Sequence, residues 1–236
     1  MLDRSKHEIT MRNILDDVYS HREMASVLGF KGGTACYFFY DLPRFSTDLD
    51  FNLLDLTKKD LVFTEFPKIL QKYGEVKDKY IKANTIFFLL THTKFKTAIK
   101  IEISTREIEK INSFGLIEFY GMSMLVMKKE DIFANKLIAL TTRGSATARD
   151  LFDINYFFSK GWDISGDIIK EVTKIDLLEY LETLPKYIQK HFNSRNIGEG
   201  LGELLEDKTK RQFIKEKLAR ETLNQIKFFV DSRKKV

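Results

Sequence analysis

Asp48 and Asp50 alternate with the apolar Leu49 and Phe51 at the end of the stretch FKGGTACYFFYDLPRFSTDLDF, residues 30–51. The alternation predicts a strand. Successive strand side chains point to opposite faces, so the two acids project together while Leu49 and Phe51 enter the core. Two like charges so placed are costly unless a cation lies between them. Hard oxygen ligands on one face suit Mg²⁺, which usually also takes oxygens from a substrate phosphate. Upstream, Gly32 and Gly33 fit the same chemistry, because backbone without Cβ can approach a phosphate closely and offer it N–H groups. Metal and phosphate are therefore expected together.

Three further charged residues interrupt apolar patterns. In IKIEIS, residues 99–104, Ile99, Ile101 and Ile103 face one way and Lys100, Glu102 and Ser104 the other. Glu102 either meets Asp48 and Asp50 or stands on an edge strand in solvent. Residues 129–143 have helical periodicity, and Ile132, Phe133 and Leu140 surround Lys136. A lysine in an apolar stripe either snorkels to solvent or meets an anion. The next helix buries Leu151, Ile154 and Phe157, with Asp150 on that face and Asp153 beside it at i+3. A buried carboxylate needs a partner, which is either Arg143 or Arg149 in a bridge between helices, or Lys136 and the active site.

These residues have to be positioned by the elements around them. A packing helix is expected within 5–28, a short strand at 28–31, a helix over 34–40 ending near Pro43, and a loop 41–47 that delivers the aspartate strand. A helix from Thr57 to about Lys72 follows. Thr57 is its expected cap, Asp60 returns the bond, Leu56 and Leu61 form a staple, and Pro67 lies inside it. Extended segments are read near 76–82, 84–92 and 96–104. Beyond residue 160 the chain reads as helices over 165–174, 176–191, 198–206 and 208–231, punctuated by Pro185, Gly198, Gly200 and Gly202.

Composition sets the outer bounds. A chain of 236 residues that is 43% hydrophobic can fill a real core. Its single cysteine, Cys36, excludes an internal disulfide and a cysteine-based zinc site, and its expected role is packing. The start, MLDRSKHEIT, lacks the apolar run of a signal peptide, and no stretch approaches the ~20 apolar residues of a membrane span. A soluble, cytoplasmic protein is expected. The net charge of +5 is concentrated from Asp207 onward, where ten Lys/Arg face four Asp/Glu. Such a tail suits RNA or is simply a solvated helix face.

A glycine pair, a spacer and Asp-x-Asp between apolar positions resemble the core motif of the polymerase-β-type nucleotidyltransferase superfamily. More narrowly, KGGTA and LPRFSTDLDF, then IKIEIS and DIFANKLIALTTRGSATARDLFD at 131–153, resemble the AbiEii/AbiGii toxin family, with the related MenT toxins. The resemblance implies an α+β fold: a nucleotidyltransferase core of a small mixed sheet with flanking helices over 1–127, then a helical domain over 128–236, with the active site between them. It implies an NTP substrate held by Gly32, Gly33 and Thr34, Mg²⁺ on Asp48, Asp50 and Glu102, and Glu102 helping to deprotonate the attacking hydroxyl. Lys136 would address the triphosphate and Asp150 belongs to a block associated with activity. Ser46 lies near the nucleotide site as a position for phosphorylation by a partner, and Arg44 contacts phosphate or only its loop. The implied acceptor is RNA, the 3′ end of tRNA, and the implied partner is a cognate antitoxin. Transfer to a small molecule or to protein, and a catalytically silent binding module, are the other readings.

Overall fold

The computed structural model describes residues 3–92, 97–143, 147–192, 201 and 208–234. It has the α+β class expected. The chain folds as two compact units, one of residues 1–41 and 45–128, the other of residues 42–44 and 129–236.

In the first unit, helix α1 (Arg4–Ser20) starts at Asp3, whose side chain accepts the Lys6 N–H at 3.2 Å. Its buried positions His7, Met11, Ile14, Leu15 and Val18 follow the helical period and face the core. The short α2 (Arg22–Ala25) leads into strand β1 (Leu28–Lys31), which feeds α3 (Gly32–Phe39). Gly32 makes that turn at φ +81°, a conformation that disfavours any side chain. Residues 42–44 depart to the second unit, and the chain returns at Phe45 to form β2 (Leu49–Leu53).

The next helix, α4 (Lys59–Leu70), buries the expected stripe of Val62, Phe66, Ile69 and Leu70, and it continues through Pro67. Its cap differs from the expectation. Asp55, not Thr57, accepts the Thr57 N–H at 2.9 Å and the Thr57 hydroxyl at 2.7 Å, starting a 3₁₀ turn over Leu56–Lys58 that runs into the helix. The threonine hydroxyl is thus a donor to that carboxylate, and Lys58, at the N-cap of α4, makes no side-chain capping bond.

Strands β3 (Glu75–Lys82), β4 (Thr85–His92) and β5 (Thr97–Ser104) follow. A hairpin of β6 (Phe114–Phe119) and β7 (Met122–Met127), in a region where no element was expected, completes the sheet. Tyr120 and Gly121 close it at φ 50° and 85°, both left-handed as a two-residue hairpin turn requires. Among the described residues, seven strands lie in the order β3-β4-β5-β2-β1-β7-β6, with β2 parallel to β5, β1 parallel to β7 and the other pairs antiparallel. Leu49 and Phe51, with Ile99, Ile101 and Ile103, are buried on one face. Phe51 meets Phe66 of α4 edge-on at 6.0 Å, and Phe66 stacks on Phe88 at 5.3 Å. The opposite face of β2 and β5 is thereby left for polar side chains.

The second unit contains, among the described residues, α5 (Lys129–Thr142), α6 (Ala148–Ser159), α7 (Gly166–Thr173), α8 (Leu177–His191) and α9 (Lys208–Arg233). Its core includes Phe133, Phe157 and Trp162, with the Trp162 ring stacked on Phe157 at 4.2 Å. Of the helix expected over 198–206 the described residues include Leu201 alone, and Asp207 at the head of the basic tail lies outside them. No helix among the described residues is long and apolar enough to cross a membrane.

Candidate active site

Register decides which side chains share the polar face. Asp50 pairs with Glu102 across the parallel β2–β5 ladder and with Lys31 across the antiparallel β1–β2 ladder. Directly opposed residues point to the same side of a sheet, so Lys31, Asp50 and Glu102 form one row. Glu102 is exposed and Asp50 half-buried. Lys31 places Nζ 2.6 Å from Glu109 Oε2, on the 3₁₀ turn Glu107–Ile111 that follows β5. The row thus sets two adjacent acids beside one ammonium.

Gly32 sits against this row. A Cβ built on it would lie 2.2 Å from Asp50 Oδ2, so the carboxylate occupies the volume that any other residue at 32 would need. This close approach brings a metal-ligating type of oxygen to the first turn of α3, where free N–H groups favour anions. Gly33 and Thr34 are buried. The Thr34 hydroxyl donates to the Asp48 carbonyl at 2.5 Å, so it holds the aspartate's backbone. Asp48 itself stands one residue before the ladder, and its Oδ1 is 3.4 Å from the Thr47 hydroxyl. The strand alternation therefore covers Asp50 but stops short of Asp48. Ser46 is half-buried in the same loop.

Among the described residues, no three His, Cys, Asp or Glu side chains converge as a ready-made metal cage. The residue types nevertheless fit Mg²⁺, which is ordinarily held by one or two carboxylates, waters and substrate phosphates rather than by protein alone. Asp50 and Glu102 side by side are such a pair.

The second unit gathers its own charges. Arg44 is 5% exposed and forks onto Asp153, with Nε 2.5 Å from Oδ1 and Nη2 2.6 Å from Oδ2. Lys136 Nζ lies 2.8 Å from Asp150 Oδ1 and 2.9 Å from Asp153 Oδ2, and Asp150 also accepts from Arg143 and the Thr147 hydroxyl, both at 2.8 Å. Lys136 thus meets anions rather than snorkelling. Of the partners weighed for Asp150, Lys136 and Arg143 both bind it, while Arg149 is exposed. Burial lowers the Lys136 affinity for its proton, but Asp153 and Asp150 outweigh it and the net shift is upward. Burial raises the Asp150 carboxyl, and Lys136 and then Arg143 more than reverse this, holding it at about 2.

A family model described as "Nucleotidyl transferase AbiEii toxin, Type IV TA system" matches residues 13–227. This chain belongs to the AbiEii nucleotidyltransferase toxin family. JHP933 from Helicobacter pylori has the same fold, with a TM-score of 0.67 at 23% identity, over 100% of this chain and 96% of that one. A second H. pylori chain, presented as a candidate nucleotidyltransferase, gives a TM-score of 0.64 at 23% identity, over 98% and 96%. No curated protein matches.

Membership in the AbiEii family makes the chain a nucleotidyltransferase of a toxin–antitoxin system and implies an NTP substrate and an antitoxin partner. Of the residues singled out in its sequence, the first unit brings Gly32, Asp50 and Glu102 together, with Thr34 behind Asp48. The second brings Lys136, Asp150 and Asp153 together. Sequence reasoning missed Lys31 as the cation of the acidic row and Arg44 as a buried ion-pair partner. Lys31 adjoins the glycine pair, but only the register places it beside Asp50.

The Asp150 carboxyl supplies a pH test for this AbiEii protein. Its folded value lies below the ordinary carboxylate range, so its contribution to stability is complete above pH ~4 and is lost as the pH falls from there to about 2. Unfolding free energies of the wild type and Asp150→Asn, measured from pH 6 down to 2, are expected to converge over that interval. A constant gap would show that Asp150 stabilises the fold by something other than its charge.

Proposed function

We propose that this enzyme transfers a nucleoside monophosphate from an NTP to an RNA acceptor, the 3′ end of a tRNA, with Mg²⁺ as cofactor and pyrophosphate as product. The observation that carries the reading is the Asp50–Glu102 pair on one sheet face, with Asp50 packed against Gly32 at the head of α3. Bound Mg²⁺ would supply charge neutralisation at the α-phosphate. The acceptor hydroxyl oxygen attacks the α-phosphorus, its bond to the β-phosphate oxygen breaks, and pyrophosphate leaves. Asp48, Asp50 and Glu102 would hold the Mg²⁺, Glu102 also helps take the hydroxyl proton, and Gly32 and Gly33 offer the triphosphate backbone N–H groups.

Lys136 is assigned to the leaving phosphates. Its ammonium has three N–H donors, and Asp150 and Asp153 take two, which leaves one for a phosphate oxygen. Asp150 then orients Lys136. Support for an RNA acceptor comes from the basic tail, in which Lys217 and Arg220 of α9 are exposed. Ser46 remains the proposed position of control by phosphorylation.

The test is incubation of purified protein with each α-labelled NTP, Mg²⁺ and total RNA. Label is expected in the tRNA band, dependent on one or a few bases. Label in protein or in small molecules would move the acceptor class, and no incorporation from any NTP would overturn the reading.

A further inference from the structure

His7 lies on α1, outside every motif of the sequence, and is 3% exposed. Its Nε2 is 2.9 Å from the Thr47 carbonyl oxygen. A carbonyl only accepts, so Nε2 carries the proton and donates, and the opposite nitrogen, Nδ1, is buried with no partner among the described residues. Packing alone would be served better by a phenylalanine, which has no polar atom to bury. What phenylalanine cannot do is donate to Thr47.

The segment that His7 holds is the one that presents Asp48. Residues 45–48 lie between the excursion to the second unit and the start of β2, and they take no part in the sheet ladder. Side chains hold them instead. Phe45, 4% exposed, is boxed edge-on by His7 at 5.8 Å and by Tyr37 at 5.5 Å. The Tyr37 hydroxyl in turn donates to Glu8 Oε2, next to His7, at 2.9 Å, tying α3 to α1. The Thr47 carbonyl belongs to the peptide plane before the Asp48 Cα, and the Asp48 carbonyl to the plane after it. His7 pins the first and Thr34 the second. Peptide units are rigid, so fixing both flanking planes fixes the direction in which the Asp48 Cα–Cβ bond leaves the chain.

We infer that His7 is a positioning residue for Asp48: its Nε2–H, with the Thr34 hydroxyl, sets the orientation of the carboxylate that the transfer reaction needs. The inference rests on the nucleotidyl-transfer reading for its consequence, though not for its geometry. His7→Phe keeps a ring against Phe45 and removes both the donor and the orphaned nitrogen. His7→Gln keeps an N–H near the Nε2 position and gives up the ring.

Stability and activity should therefore rank in opposite orders. His7→Phe is expected to melt at or above the wild-type temperature and to lose up to about 10²-fold in kcat with NTP KM little changed, as a small misplacement of a reacting group does. His7→Gln should melt lower and retain kcat within a few-fold. Mn²⁺ affinity, followed by the loss of the free-ion paramagnetic signal, should fall in His7→Phe and not in His7→Gln. Hydrogen exchange of the Asp48 amide, in the pinned plane, should quicken only in His7→Phe. Activity that follows the melting temperature, or wild-type kcat in His7→Phe, overturns the inference. If the wild type neither transfers nor binds Mn²⁺, the functional reading fails instead, and equal Asp48 exchange in all three proteins would still sink the positioning role. Thr34→Val, which removes the second pin, makes the same comparison should His7→Phe not fold.

Discussion

Asp50→Asn is expected to bring nucleotide transfer to background while leaving the melting temperature near that of the wild type. The amide has almost the volume of the carboxylate, so it still fits over Gly32, where no Cβ has room. What changes is charge. The row Lys31–Asp50–Glu102 loses one of the two adjacent acids proposed to share a divalent ion with the triphosphate. Asp48→Asn should behave alike, because Thr34 holds the backbone carbonyl of residue 48, which the substitution leaves in place. The measurement is transfer from labelled NTP across a range of Mg²⁺ concentrations, beside a thermal melt of each variant. Full activity in either variant at every Mg²⁺ concentration would remove that residue from the metal site.

Much of this site is legible in local patterns. Period-two alternation separates Asp50 from Leu49 and Phe51, and Glu102 from Ile101 and Ile103, and burial in the structure follows that division. The stripe of α4 is likewise a local property. The parts that were not legible are those fixed by distant partners. Lys31 joins the acidic row only through the antiparallel register of β1 with β2, which no spacing within residues 28–53 encodes. His7 and Thr47 are 40 positions apart, and nothing in the α1 sequence distinguishes this histidine from one that only packs. The β6–β7 hairpin did carry a signal, the glycine of Tyr120-Gly121 between two apolar runs. Its strands are half-exposed and short, however, and they lack the clean alternation that marks β5. Arg44 looked like a loop residue because its partner lies 109 positions away, in the helical unit.

Asp153→Ala is expected to destabilise the second unit strongly. The Asp153 side chain is fully buried, and its two oxygens receive the Arg44 fork and the Lys136 ammonium. Removing it leaves a guanidinium that is 5% exposed without its carboxylate and deprives Lys136 of one of two. Breaking a buried pair from one side costs about 3–5 kcal/mol, because the remaining charge stays desolvated. In a chain of this size that corresponds to a loss of roughly 10 °C in melting temperature. Arg44→Met with Asp153→Leu removes both charges together and should recover much of the loss, since an apolar pair of similar volume carries no such penalty. The recovery of stability need not restore transfer. Residues 42–44 are anchored by this pair, and Phe45, the next residue, opens the segment that carries Ser46 and Asp48. A double variant that regains its melting temperature but stays impaired in transfer would assign the Arg44–Asp153 fork to presenting that segment. Regained activity would make it a stability element alone, and a single variant that melts within a degree or two of the wild type would contradict the buried-charge argument itself.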